Sequence, residues 1–462
     1  MMSIDDLIDG SIGNGQLTIL LVATRDLRGQ LTGRKSVLRT TVESLAKLGH
    51  RVIVAHFGAG KDSDASGSPG ECEQVRYVRI DGPRPWELMI QLGSGFLPGR
   101  KSLNECLYLS GRAKTALRDI ARAEKVDVVV TDMVRTAVYG EFLGLPWISD
   151  LDDLLSLRYG LLAKGQRGLD GLLGYHKAPA LRALSWLVRP VLEIILRREA
   201  AILARREIAV AQQAGLTLAV SPTEAATLAS ASSRSIFTTP LSVKGPTGVA
   251  PFEDRRCELV FLGAFSYQPN RDAVHKFDNR ILGELGSCGL EDVCLHVVGE
   301  KGIGYEFSPN IRFEGYVEDL DDELQKYKAM LVPELLQGGI KTKVVHAALN
   351  KVVVLAHDTA ITGMGLEPDV NVLTWKSSED LAVLLKRVRS NDDSLPVIAE
   401  NARLWAEANF GQQRAEAKWR KYLASVMGKS AEASLGPETI PGRERAQTGH
   451  NGLSQVAEAL GR

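Results

Sequence analysis

Short apolar runs alternate with longer stretches in which apolar residues recur every three or four positions, and this continues over most of the chain. LTILLVAT (Leu17–Thr24) predicts a strand. SVLRTTVESLAKLGH predicts an amphipathic helix with Val37, Thr41, Leu45 and Leu48 near one face, stopped by Gly49. RVIVAHF, QVRYVRI, KVDVVVTD, LPWISDLDD and LTLAVS continue the series, with LTLAVS (Leu216–Ser221) expected to be the last strand of its half. Ile236–Arg256 is rich in Pro, Gly and Thr and reads as an interdomain linker. Beyond it a second series begins: ELVFLGAFSY, VCLHVVGE, NIRFEGYV, AMLVPEL, KVVVLAHD and NVLTW, again with helices between. The fold class predicted is α/β, with parallel sheets in two similarly built halves.

The organisation expected is a flexible N-terminus (1–16), a first domain (17–235) with a helical insert at about 160–212, and the linker (236–256). A second domain (257–395) follows, then helices (396–427) long enough to return to the first domain. From 428 to 462 the chain turns polar and Gly-rich and reads as a disordered tail.

Composition narrows the functions. The chain has 462 residues, 56 Lys plus Arg against 56 Asp plus Glu, and so no net charge to recruit nucleic acid. Five cysteines (Cys72, Cys106, Cys257, Cys288, Cys294) form no C-x-x-C pair, so neither a zinc site nor a disulfide framework is expected. MMSIDDLIDGSIGNG lacks the basic start and apolar core of a secretion signal, and no run approaches the ~18–20 apolar residues of a spanning helix. A cytoplasmic protein is expected.

GRKS at Gly33–Ser36 ends like a phosphate-binding P-loop, but only three residues separate Gly29 from Gly33, and Arg34 stands before the Lys. The tetrapeptide recurs at Gly99–Ser102 in an unlike setting, LPGRKSLNECLY. An ATP-hydrolysing loop is therefore not expected.

Four local patterns, in order, resemble the GT-B glycosyltransferases, and within them the retaining family 4 type used in bacterial polysaccharide assembly. LAKLGHRVIVAHFG is similar to the "LxxxGHxVxV" that closes the family's first βαβ unit, and FLGAFSYQPNRDAVHKF to its "GxxxxxPNxDAV" segment. NIRFEGYVEDLDDELQKYKAMLVP resembles its "V-x-F-x-G-x-V … A … V-x-P" stretch, and GGIKTKVVHAALN occupies the place of its "GG-x-(R/K)-x-K-V-x-E-A" donor loop. The likeness runs from about Leu17 to Leu423. It implies two Rossmann-like domains facing a central cleft, a nucleotide-diphosphate sugar as donor, a glycan or polyprenyl-linked acceptor, and no cofactor or metal.

The resemblance also distributes roles. Gly33, Gly338, Gly339, Lys341 and Lys343 fall where the donor diphosphate is held, since glycines let the backbone approach and lysines offset the leaving charge. Tyr316, Val317 and His346 match nucleoside positions, while Gly263, Asn270 and Arg271 are further donor contacts. Asp132 and Arg135 at one strand end, and Asp150 and Asp152 at the next, lie where open α/β sheets place ligands and are the catalytic candidates. Asp150-Leu151-Asp152 also mimics a D-x-D metal site, but of the other glycosyltransferase fold; orienting the acceptor or sugar hydroxyls is the role expected, with helix capping ahead of LLSLRY as the competing explanation.

The sequence departs from the family pattern where it matters. The paired glutamates would stand at Gly338 and His346, an arginine at Ala264, and a Gly-x-Pro turn at Lys351–Val353. These departures keep a degenerate, binding-only scaffold in view, and more remotely a nucleotide-sugar epimerase. His176–Val210 combines Trp186, Leu187, Val191 and Ile195 with Arg182, Arg189, Arg197 and Arg198, a composition suited to a membrane surface, with Pro190 expected to break the helix midway. Glu193 and Glu199 dilute the charge, and an ordinary interdomain helix pair is the slightly favoured reading.

Overall fold

A computed structural model describes residues 15–28, 33–58, 74–163, 185–265, 268–300, 306–333 and 340–428. The chain divides into two units: 1–170, 176–241 and 415–462 form one, and 171–175 with 242–414 form the other.

The first unit is built on a seven-stranded sheet of order β3-β2-β1-β4-β5-β6-β7, every pairing parallel. Its strands are β1 (Thr18–Ala23), β2 (Arg51–Phe57), β3 (Val75–Ile80), β4 (Val128–Asp132), β5 (Trp147–Asp150), β6 (Leu216–Ala219) and β7 (Ile236–Thr238). Central strands of such a sheet are covered on both faces, which is why they read as unbroken apolar runs. Leu20, Val22, Ile53, Ala55 and Val129 bury on one face, and Ile19, Leu21, Val52, Val54, Val128 and Val130 on the other.

The second unit has a six-stranded sheet of order β10-β9-β8-β11-β12-β13, also parallel throughout. Its strands are β8 (Arg256–Leu262), β9 (Leu295–Val298), β10 (Ile311–Gly315), β11 (Tyr327–Val332), β12 (Val353–His357) and β13 (Leu373–Trp375). Both sheets thus repeat one winding, reversing direction between β1 and β4 in the first and between β8 and β11 in the second. Such reversals open a crevice beyond the strand ends, where ligands bind.

All twelve strands expected from the sequence are present. The expectation that LTLAVS ends the first sheet is corrected, because Ile236–Thr238 pairs with β6 as a seventh strand. Three residues in a Pro- and Thr-rich stretch carry no periodicity, and only the tertiary pairing makes them a strand. Pro190 does not break its helix, which runs from Ser185 to Gln213. A proline this near a helix start removes one hydrogen bond, and the long remainder sustains the helix.

The last helix, Gln412–Val426, completes the first unit. Trp419, Tyr422 and Leu423 are buried with Ile19, Leu21 and Val128. Tyr422 Oη donates to the Thr238 carbonyl at 3.0 Å, and Lys418 Nζ to Thr238 Oγ1 at 2.9 Å. The readings of 1–14 and of the tail from 429 onward lie outside the described residues.

Candidate functional site

The reversal in the first sheet carries a buried cluster of charge. Asp132 ends β4, Asp150 ends β5, and Asp152 follows two residues later. All three face Arg34, whose side chain is only 6% exposed. Arg34 Nε donates to Asp132 Oδ1 at 3.0 Å and Nη1 to Asp152 Oδ1 at 3.1 Å. Nη2 lies 2.9 Å from Asp132 Oδ1 and 3.0 Å from Asp150 Oδ2, aligned for a hydrogen bond with neither. Thr24, just past β1, donates to Asp132 Oδ2 from its amide at 2.9 Å and its hydroxyl at 2.5 Å. Thr239 Oγ1 donates to Asp150 Oδ1 at 2.9 Å.

Three carboxylates share one guanidinium, so they do not ionise alike. Burial alone would raise Asp132, but Arg34 and Thr24 outweigh it and leave its carboxyl below the ordinary value. Burial raises Asp152 to about 7; Asp153, Asp150 and Asp132 add to the rise against the pull of Arg34. Asp152 is also the member that reaches solvent, at 16% exposed. Near neutral pH it can donate or accept a hydrogen bond to a ligand hydroxyl.

The backbone here is held in a conformation that side chains disfavour. Met133 has φ +64° and Asp152 φ +61°, each immediately beyond a member of the cluster or within it. Such positions cost on the order of 1–3 kcal/mol each and gather at functional sites. A further buried acid stands on the helix Ser185–Gln213. Glu207 accepts from the Ser156 amide at 3.1 Å and from its hydroxyl, yet burial still pushes it up to about 8.

Arg135 does not join this cluster. Its Nε donates to Asn104 Oδ1 at 2.8 Å, and its guanidinium lies over the Tyr108 ring. Gly33 is the first residue of the helix Gly33–Lys47 and so places Arg34 in that helix's first turn.

In the second sheet, β8 and β9 run directly into Gly263 and Gly299, and β10 finishes on Gly315. Gly299 has φ +140°, and a Cβ there would stand 2.6 Å from the Gly263 carbonyl oxygen, so no other residue fits. The Gly263 amide donates to Val298 O and the Gly299 amide to Gly315 O, locking the three ends together. A Cβ on Gly263 would meet the Asn270 carboxamide at 2.6 Å. Glycine therefore seats Asn270, whose Nδ2 donates to Ala264 O at 3.0 Å.

Asn270 Oδ1 in turn accepts from Lys343 Nζ at 3.1 Å. Lys343 lies in the first turn of the helix Thr342–Leu349, and its ammonium stands 4.2 Å from the centre of the Phe261 ring. No carboxylate forms an ion pair with it among the described residues. Burial lowers Lys343 to about 7, and the Lys341 charge adds to the effect. Lys341 is the residue that precedes the helix, with extended backbone.

His346 follows one turn later, lowered by burial although Asp321 opposes, and its Nδ1 is buried with no hydrogen bond among the described residues. Arg271 donates to the Phe265 carbonyl. Tyr316 is 71% exposed beside half-buried Val317. Gly338 and Gly339 lie outside the described residues.

Each sheet thus carries its polar cluster at the reversal. The sequence marked Asp132, Asp150 and Asp152, and separately Gly263, Asn270 and Lys343. It missed Arg34, Thr24 and Thr239, which lie roughly a hundred positions from the carboxylates they serve, and Phe261, hidden in a strand.

Residues 256–390 match the family model described as "Glycosyl transferases group 1", which supports a glycosyltransferase. Among solved structures, sucrose-phosphate synthase from Thermosynechococcus elongatus is similar with a TM-score of 0.61 and 13% identity, covering 89% of this chain and 100% of that one. Anabaena HepE in complex with UDP is similar at 0.58 and 13%, covering 88% and 100%. A mutant of S. aureus TarM, in complex with Fondaparinux, alpha-GlcNAc-glycerol and UDP, is similar at 0.56 and 10%, covering 87% and 99%. No curated protein matches the chain in sequence. At such identities the structural likeness speaks for the fold: this chain has the two-sheet α/β fold of the GT-B glycosyltransferases, and its second unit matches the glycosyl transferases of group 1.

Proposed function

We propose that the protein moves a hexose from a nucleotide-diphosphate sugar to a glycan or lipid-linked acceptor in polysaccharide assembly, with retention and without a metal. The observation that carries this reading is Lys343: a half-buried lysine, its charge disfavoured by desolvation and without a carboxylate partner among the described residues, in the first turn of a helix beyond a sheet reversal. A cation there opposes the helix dipole and is stabilised by an anion, as a departing diphosphate would be. Lys341 supplies a second charge, and the joined glycines at 263, 299 and 315 allow close backbone approach. Of the similar folds, HepE is known in complex with UDP and with UDP-glucose, and a TarM mutant in complex with UDP. Asp152, able to share a proton near neutral pH, is assigned the acceptor hydroxyl.

Calorimetric titration with a panel of nucleotide sugars and nucleoside diphosphates tests the reading. Binding by the wild type that is lost in Lys343→Ala supports it. Absence of binding to any donor by folded wild type overturns it.

A second reading, binding without transfer, is favoured by His346 standing where relatives carry a glutamate. Donor binding with neither transfer nor slow donor hydrolysis would select it.

Contact with a membrane surface is part of the proposal. Ile194 and Ile195 are exposed on the helix Ser185–Gln213, and Arg198 of that helix donates to the Phe96 and Leu97 carbonyls. Exposed Leu97, Trp86, Met89 and Ile90 enlarge the apolar area, with Arg84 and Arg100 exposed as well. An apolar surface edged by arginine suits anionic lipid. Residues 176–184 of the stretch marked in the sequence lie outside the described residues.

A further inference from the structure

One cluster in the second unit belongs to neither polar site. His296 on β9 is 2% exposed, and its two ring nitrogens face two different carboxylates. Nδ1 lies 2.6 Å from Glu314 Oε1 of β10, while Nε2 lies 3.0 Å from Glu258 Oε2 of β8. The two contacts are unlike. Nδ1 and Glu314 make a hydrogen bond, but Nε2 is buried with no hydrogen-bond partner among the described residues, its neighbouring oxygen out of line.

The half-buried Cys294 sits two residues before His296, and alternation along a strand brings both side chains to one face. Leu259 is in register with Leu295, so Glu258 stands beside Cys294. The ligand atoms of Glu258, Cys294 and His296 all lie within 4.8 Å of one another. The opposite face, with Leu259, Phe261, Leu295 and Val297, is the core.

We propose that Glu258, Cys294 and His296 form a zinc site that staples β8 to β9, with Glu314 orienting the histidine. A thiolate, an imidazole and a carboxylate are the donor set of zinc rather than of magnesium or calcium. A ligating histidine characteristically donates its other N–H to a carboxylate, which is the relation of His296 Nδ1 to Glu314 and leaves the Nε2 lone pair free for the metal. On binding, the Cys294 thiol gives up its proton to solvent and no bond is oxidised or reduced. Burial otherwise keeps that thiol protonated. The exposed Arg312, whose Nη1 is 3.7 Å from Glu258 Oε1, contacts the other carboxylate oxygen and leaves Oε2 to the site. The ion is structural: His296 and Glu314 shortly precede Gly299 and Gly315, so the staple stiffens the joined strand ends without entering the proposed transfer.

The full chain, stripped with chelator, is titrated with Co²⁺ and then Zn²⁺, and its thermal midpoint is recorded. The expected result is saturable Co²⁺ uptake with a thiolate charge-transfer band in the near ultraviolet. That band should vanish in Cys294→Ser and persist in Cys257→Ser, whose side chain packs against the core. Zn²⁺ should displace Co²⁺ and raise the midpoint of the wild type, but not that of Cys294→Ser or Glu258→Gln. Circular dichroism establishes that the variants are folded. A band that survives Cys294→Ser, displacement by Mg²⁺ as readily as by Zn²⁺, or no saturable uptake would overturn the site. His296 would then be only a bridge between two glutamates of the sheet.

Discussion

Arg34 Nε donates to Asp132 Oδ1 at 3.0 Å, tying the first helix to the end of β4 through a buried ion pair. Removing the arginine leaves Asp132 and Asp150 buried without their counter-charge. Arg34→Leu should therefore destabilise the protein by about 3–5 kcal/mol near neutral pH. Asp132 is held below its ordinary value, so its stabilisation is present above the unfolded-state value and is lost as pH falls through the folded one. The deficit of the variant should shrink on acidification. Denaturant midpoints of both proteins at about pH 7.5 and about pH 3 check this. A deficit independent of pH would mean that lost packing, and not stranded carboxylates, is the cause.

Lys343 predicts proton uptake on donor binding. Its value is lowered to about 7, and a bound diphosphate favours the charged form and raises it. Above about pH 7.5, UDP or another nucleoside diphosphate should bind with uptake of a proton and lose affinity as pH rises. Calorimetry in buffers of differing ionisation enthalpy measures the linkage directly. Lys343→Arg, which cannot deprotonate, should abolish it even where binding survives.

Gly299→Ala tests whether the strand ends act together. The added Cβ would lie 2.6 Å from the Gly263 carbonyl oxygen, in a backbone conformation that alanine resists. Displacing Gly263 moves the seat of Asn270 and with it Lys343. We expect stability to fall by about 2–4 kcal/mol, and nucleotide affinity to fall at least tenfold under conditions where the variant is still folded. Unaltered affinity in a folded variant would detach the glycines from the donor site.

Glu207→Gln should stabilise the protein at alkaline pH. Burial raises Glu207 to about 8, so between its unfolded value and about 8 the native state binds the extra proton. Stability of the wild type consequently declines with rising pH over that window. Glutamine keeps an acceptor for Ser156 and carries no charge. Its advantage should be small near pH 4, grow towards pH 8, and reach at most a few kcal/mol. Melting curves across the range decide it, and an advantage that does not grow with pH would contradict a buried, charge-averse Glu207.

The strands were legible because a parallel sheet covered on both faces demands continuous apolar runs, as in β1, β2 and β4. β7 was not, since its three residues become a strand only by pairing with β6. Asp132, Asp150 and Asp152 could be recognised as strand-end acids, but their common partner could not. Arg34 looked like part of a failed phosphate loop, and only the winding of the sheet brings it to the carboxylates. Lys343 was legible as a helix-start cation, though not as a desolvated one; its environment is made by Phe261 and Asn270 from other elements. Cys294 and His296 share one face by simple alternation, a signal that was available. Glu258 was not readable beside them, because strand register is fixed by the whole sheet.

The helix Gln412–Val426 covers a face of the first sheet with Trp419, Tyr422 and Leu423, and this sets a schedule for the newborn chain. A ribosome makes Ile19, Leu21 and Val128 long before their cover. The first unit therefore emerges with an apolar side uncovered and stays so while the whole second unit is synthesised. The second unit, drawn from one nearly continuous segment, can close before the first is complete. Emergence of Gln412–Val426, and not emergence of its own strands, is the event that finishes the first unit.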